Sequence, residues 1–284
     1  MSNVKSMKKM FSYSTFNQDI SKWDVSNVED MDSAFRFSKF NHDISDWDVS
    51  NVENMQNMFL GAIFNQDISK WNVSNVEDMS WMFYKSIFNQ DISKWDVSNV
   101  ENMSHMFANS DFNQDISKWD VSNVKDMRRM FSNSIFNKDI SNWDVSNVND
   151  MCCMFDSSAF NLDISKWDVS NVVKMNWMFY ESNFNQDISK WDISKVKNME
   201  VIFGNSFFNQ DISKWDLSSF KEHNKKNIFK NSLYNYQPPK GMKYQRSKGN
   251  ILYHEIMKTK DFSKLEELKK LNKKFYNHLI KQIF

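Results

Sequence analysis

Two kinds of side chain in this sequence have the types and spacing to do bond-making chemistry. The thiols of Cys152 and Cys153 are chain neighbours and the only cysteines present. Adjacent cysteines cannot supply a disulfide framework, and a bond between neighbours is strained, so the pair reads as two reduced thiols at partly exposed positions. Carboxylates are the second kind: aspartates recur at Asp19, Asp43, Asp67 and onward at one constant interval. A general acid and a general base need carboxylates in different surroundings, and identical copies do not provide them. Like charges in register call for hydrogen-bond donors instead, and backbone N–H groups are the expected ones. Ca²⁺ is the lesser alternative, because the calcium-loop spacing with its glycine is missing. His42, His105, His223, His254 and His278 show no ligand spacing, and no nucleophile-elbow, phosphate-loop or zinc-protease motif occurs. The methionines at Met31, Met55, Met79 and onward carry sulfur that suits soft metals, yet they stand at core spacing beside Phe and Trp. No catalytic residue, cofactor site or metal site is assigned, and no enzymatic activity is expected.

Recognition is a better prospect than catalysis. Two segments carry the same Trp-Met-Phe-Tyr, placing Trp81 with Tyr84 and Trp177 with Tyr180 between core positions. Partly exposed Trp and Tyr are preferred anchors of protein interfaces, so these four residues are the candidate partner-binding site. The blander alternative is that they cover neighbouring loops.

All these residues are positioned by one period. The phrase FN-x-DIS begins at Phe16 and returns every 24 residues through Phe208. A partial repeat at 2–15 is followed by eight complete repeats over 16–207 and a longer ninth at 208–233. A unit this short cannot bury its own apolar face, so the units must stack. Within one of them Ile92, Trp95 and Val97 have the L-x-x-L-x-L spacing of a leucine-rich repeat, and the W-x-V alternation predicts a short strand. Val100, Met103, Met106 and Phe107 follow at three-to-four spacing behind a Ser98/Glu101 capping box, which predicts a short helix. The expected fold is an α/β repeat solenoid with one strand and one helix per repeat. An unbroken asparagine column from Asn17 is expected to hydrogen-bond along the stack.

The iterated F-N-Q-D-I-S-K-W-D-V-S-N-V and M-x-x-M-F, from about residue 2 to about 235, resemble the BspA-like leucine-rich-repeat surface proteins of bacteria and some protists. The resemblance implies a right-handed superhelix and, for some relatives, adhesion to host or matrix proteins. It brings no catalytic residue with it. The opening MSNVKSMKKMFSYSTFNQD lacks the apolar core of a secretory signal, and no apolar run approaches a membrane span. From this chain alone the default location is cytoplasmic, whereas the resembling family is cell-surface or secreted.

Charge divides the chain in two. Residues 1–220 hold 20 basic and 31 acidic side chains, net −11, while 221–284 hold 16 and 5, net +11. Pro238-Pro239 mark the boundary of a basic C-terminal segment, 236–284. Leu265, Leu268, Leu271, Phe275, Leu279 and Ile283 predict an amphipathic helix over about 264–282. Capping of the stack is its first expected role, ahead of docking on another chain, with nucleic acid and anionic membrane last. The expected function is non-catalytic binding of another protein, which the resemblance implies is of host or matrix origin, with no small-molecule substrate. An intracellular scaffold using the basic segment is the first rival and a polymer-acting enzyme the second. The exposed edge of the first repeat predicts end-to-end self-association.

Overall fold

A computed structural model describes residues 3–283. Met1, Ser2 (the first residue of the partial repeat) and Phe284 lie outside the described residues. The repeat is built from corners, and four corners per unit use the same device. Asp91 Oδ1 accepts the Ser93 N–H at 2.8 Å, Asp96 Oδ1 the Ser98 N–H at 3.1 Å, Asn102 Oδ1 the Ser104 N–H at 3.0 Å, and Ser110 Oγ the Phe112 N–H at 3.3 Å. A short polar side chain that captures the N–H two residues on offers the backbone an alternative to both helix and ladder. Between these corners the chain turns again, Trp95 N–H donating to Ile92 O and Val100 N–H to Val97 O. The W-x-V stretch, predicted as a strand, is therefore a run of turns. Ser98, predicted to open a helix with Glu101, is held by Asp96 instead.

The M-x-x-M-F tract departs from its expected helix for a related reason. Its N–H groups alternate in direction. Met103, His105, Phe107 and Asn109 donate to Asp126, Arg128, Met130 and Ser132 of the next repeat, while Met106 and Ala108 donate back to Met103 and His105. His105 and Asn109 have φ of 60° and 55°, and the same two positions are left-handed at Ser33/Phe37, Trp81/Lys85, Cys153/Ser157 and Val201/Asn205. An α-helix cannot pass through residues in that region. Isolated parallel bridges such as Asp78 with Asn102 mark where consecutive units touch, but among the described residues no strand or sheet forms. The α/β solenoid with a strand and a helix per repeat, and the leucine-rich-repeat-like right-handed superhelix drawn from the resemblance, are corrected to a stack of turn-built, aromatic-stacked repeats.

What holds the stack is a set of side-chain ladders. Phe107 lies 5.8 Å from Phe83 and 5.9 Å from Phe131, their rings nearly parallel, and a second phenylalanine file passes through Phe88, Phe112 and Phe136 at 6.4–6.5 Å. Offset stacking at these separations adds to the burial of each ring. Met103 and Met106 fill the space beside them and are fully buried, as core spacing predicts. The Trp119 indole N–H reaches Ile92 O of the preceding repeat at 3.1 Å. The asparagine ladder is real: Asn113 N–H donates to Asn89 Oδ1 at 2.9 Å, and each rung repeats the contact.

The C-terminal segment forms α1 (Lys248–Thr259), α2 (Leu265–Leu271) and α3 (Lys273–Ile283). The single helix predicted over 264–282 is broken at Asn272, which is extended (φ −157°, ψ 95°) and whose Oδ1 accepts the Phe275 N–H at 3.0 Å. Leu252, Ile256, Leu268, Phe275 and Leu279 bury their side chains together with Leu233, and Phe207 packs on the cluster. Polar contacts seat the helices on the repeats: Asn250 Nδ2 donates to Ser232 O, a ring N–H of His254 to Leu233 O, and Lys274 Nζ to Asn205 O and Glu181 O. The apolar stripe of α3 is thus consumed within the chain, which agrees with the capping role. Among the described residues no helix is long and apolar enough to cross a membrane.

Candidate functional site

Most repeat columns are occupied with holding the repeat itself. Every aspartate from Asp19 to Asp211 at the first corner accepts the N–H of the serine two residues on. Those backbone and hydroxyl donors hold the Asp19, Asp91 and Asp163 carboxyls below their ordinary range. The column is therefore a structural device, as backbone capping predicts. Among the described residues no group of three or more His, Cys, Asp or Glu side chains is placed to hold a metal ion.

The free column is the first left-handed position of the M-x-x-M-F tract. It carries Ser33, Asn57, Trp81, His105, Arg129, Cys153, Trp177 and Val201 in successive repeats, and three residues on lie Arg36, Leu60, Tyr84, Ala108, Ser132, Asp156, Tyr180 and Gly204. At this left-handed corner Asn57, Trp81, Arg129 and Trp177 are at least partly exposed, whereas Ser33, His105, Cys153 and Val201 are buried. For Val201, a β-branched residue, that conformation is a true outlier and carries strain.

The structure half-buries all four predicted anchors and divides them into two separate corners. Trp81 stacks on His105 at 3.7 Å and 8°, and meets Tyr84 edge-on at 4.7 Å. Trp177 lies 4.6 Å from Tyr180, whose hydroxyl accepts a hydrogen bond from Asn205 Nδ2 at 2.8 Å. Four repeat steps part the two tryptophans, about 19 Å at the usual spacing of hydrogen-bonded neighbouring backbones. The floor between them is low: Ala108 and Ser132 are buried, and Arg128 and Arg129 stand exposed.

His105 is the site residue that the sequence reading passed over as an anchor. Burial, with Arg128 and Arg129 nearby, lowers its pKa to about 4, so the ring is neutral when it lies under Trp81. Its position in the variable column was the available signal. A second concavity lies between the helices and the repeats, a cleft of about 720 Å³ lined in part by Asn161, Asn185, Phe207, Tyr253, His254 and His278. Burial lowers the pKa of both of these histidines. His254-Glu255 reads from the sequence as a solvated dipeptide on a helix, so only the packing of α1 on the repeats, with His254 bonded to Leu233 O, reveals this cleft.

Comparison with known proteins adds a family. Residues 1–86, 62–159 and 133–240 match the family described as Mycoplasma protein of unknown function, DUF285. No curated protein and no solved structure matches the chain.

Proposed function

The chain belongs to the family of Mycoplasma proteins of unknown function, DUF285, and from that premise we propose that it is a non-catalytic binding protein whose partner is another protein, of host or matrix origin. One observation carries the reading. Variation between repeats is concentrated in the left-handed column and its neighbour, while the aspartate, asparagine, tryptophan and phenylalanine columns are spent on internal contacts. An extended face with Trp81 and Tyr84 at one corner, Trp177 and Tyr180 at the other, and exposed arginines between them has the composition that protein interfaces favour. The resemblance to BspA-like surface proteins supports an adhesive role.

The test is binding of the immobilised chain to a panel of purified matrix proteins such as fibronectin, laminin and collagen. Replacing both tryptophans with Asn, which tolerates the left-handed corner, and both tyrosines with Ser should weaken a positive interaction about tenfold or more. Equal binding by that variant and the parent would overturn the reading. A second reading rests on the exposed Lys269, Lys270, Lys273 and Lys281 on the outer side of α2 and α3. There the protein is a scaffold that recruits an acidic partner, with an affinity that falls steeply as salt is raised. Self-association is the third element of the proposal: Phe11, Phe16 and Trp23 of the first described repeats are only partly buried. Light scattering should then show a particle size that falls on dilution, and a constant monomer at high concentration excludes it.

A further inference from the structure

The side chains of Cys152 and Cys153 take no part in the aromatic and asparagine ladders or the helical cap, and neither is an anchor of the binding face. Cys153 occupies the left-handed corner, with φ 56°. That corner brings the side chains of consecutive residues together. In the repeat at 16–39 the same two positions hold Asp32 and Ser33, and Ser33 Oγ donates to Asp32 Oδ1 at 2.7 Å. At the cysteines the two sulfurs stand 3.4 Å apart with no bond between them.

The two thiols are not equivalent. Cys153 is only 4% exposed, whereas Cys152 is half-buried and open to solvent. Asn176 Nδ2 donates to Cys152 Sγ at 3.0 Å, a contact that favours the thiolate. Arg129 adds positive potential. The opposing charge of Asp150 is engaged by the Cys152 N–H and by Lys174 Nζ, each at 3.0 Å. The second nearby carboxylate, Asp156, is held by Ser157. The Cys153 S–H beside it brings the Cys152 thiol below its ordinary value against the effect of burial, and the same contact pushes Cys153 strongly up. An accessible thiol eased toward its thiolate, with a second, protonated thiol in contact, is the arrangement of an oxidation-sensitive cysteine beside its resolving partner.

We propose that Cys152–Cys153 is a reversible modification site for hydroperoxides, with Cys152 as the attacking sulfur and Cys153 as the resolving one. In the first step the Cys152 thiolate attacks one peroxide oxygen and the O–O bond breaks. The sulfur is oxidised to sulfenic acid, and the leaving group takes a proton from solvent, hydroxide from hydrogen peroxide becoming water and alkoxide from an organic hydroperoxide becoming an alcohol. In the second step Cys153 sulfur attacks Cys152 sulfur. The S–O bond breaks, the Cys153 proton leaves with the hydroxyl as water, and a vicinal disulfide forms. Closing it draws the sulfurs from 3.4 Å to about 2.05 Å inside a single turn. Strained disulfides are the more readily reduced ones, so a cellular thiol reverses the modification.

The test treats the full chain with hydrogen peroxide in thiol-free buffer and follows intact and peptide masses. The expected product has lost two hydrogens, the loss maps to the peptide holding both cysteines, and dithiothreitol restores the parent mass. With Cys153→Ser, Cys152 should stop at a sulfenic acid that dimedone traps. Cys152→Ser should be oxidised about tenfold more slowly or less. Serine occupies the Cys153 position at Ser33 and the Cys152 position at Ser80 and Ser104, so both variants suit the local backbone. Should the unmodified sequence instead give a dimedone adduct as abundant as Cys153→Ser does, a sulfinic acid as first product, or a disulfide-linked dimer, the proposal falls. The mass of the parent protein decides this without either variant.

Discussion

A tryptophan inside this stack both fills space and bonds backwards, and the two roles can be separated. The Trp119 indole N–H donates to Ile92 O at 3.1 Å, whereas the buried indole N–H of Trp215 has no partner. Trp119→Phe should therefore cost about 1 kcal/mol more than Trp215→Phe, the net worth of one hydrogen bond. The Ile92 carbonyl keeps its bond from Trp95 N–H, so the penalty of a wholly stranded acceptor does not apply. Urea midpoints of the two variants check the difference. His105 makes the second prediction at this scale. Its folded pKa of about 4 lies below the ordinary 6.5, so the folded state resists the proton that the unfolded chain takes up. The stability it contributes is complete above about pH 6.5 and is lost as pH falls toward 4. Allowing for its partly solvated surroundings, the loss should be about 1–2 kcal/mol. Ring-proton titration by NMR should place its midpoint near 4, and His105→Asn should flatten part of the acid limb. His254 and His278, also lowered, contribute with the same sign. The Asp19 column, lowered in its folded state, adds stability that is lost only at more acid pH, as pH falls below the ordinary 3.8.

At the scale of elements, the deciding competition is between polar side chains and the backbone. Asn272 shows it in one residue: its side chain caps α3 through the Phe275 N–H while its own backbone leaves the helix. Asn272→Ala should cost about 1 kcal/mol, the usual worth of an N-cap, and should accelerate hydrogen exchange in the first turn of α3 about fivefold. Rates unchanged in that turn would mean that packing of Phe275 and Leu279 alone sets its stability. The periodicity of the leucines identifies most of the helical stripe, for Leu268, Phe275 and Leu279 are buried, but it also includes Leu271, which is exposed beside the break. It could not register the break, because hydrophobic spacing runs through Asn272 unaltered. The turns of the repeat show the same limit. D-I-S and D-V-S state the Asx corners openly, yet an alternating apolar pattern in the same residues states a strand, and only the hydrogen bonds decide between them.

For the whole molecule, stability is distributed along the stack, since each repeat touches only its neighbours. Ring truncation in the ladder, such as Phe107→Ala, should cost about 3–5 kcal/mol because the cavity is shared by Phe83, Phe112 and Phe131. The helical cap is the other global feature. Removing residues 248–284 should uncover Phe207 and Leu233, raise binding of a hydrophobic dye and lower the melting temperature, while the phenylalanine files persist. A truncated chain with unchanged melting and no added dye binding would show that α1, α2 and α3 do not stabilise the repeats. Opposite net charge on the two halves favours their docking, and the buried contacts of Leu252, Ile256, Phe275 and Leu279 fix it in place.

The sequence by itself determined the period, the residues of every column and the identity of the core. Identical units that cannot bury their own apolar faces have no option but to stack in register. The asparagine ladder, the backbone-capped aspartates and the buried methionines follow from that stacking. Tertiary structure alone decided the path of the chain within a unit. A polar side chain that bonds its own backbone, and a residue that turns left-handed, leave no trace in hydrophobic spacing. The same local choice placed Trp81 against His105 and brought the sulfurs of Cys152 and Cys153 together.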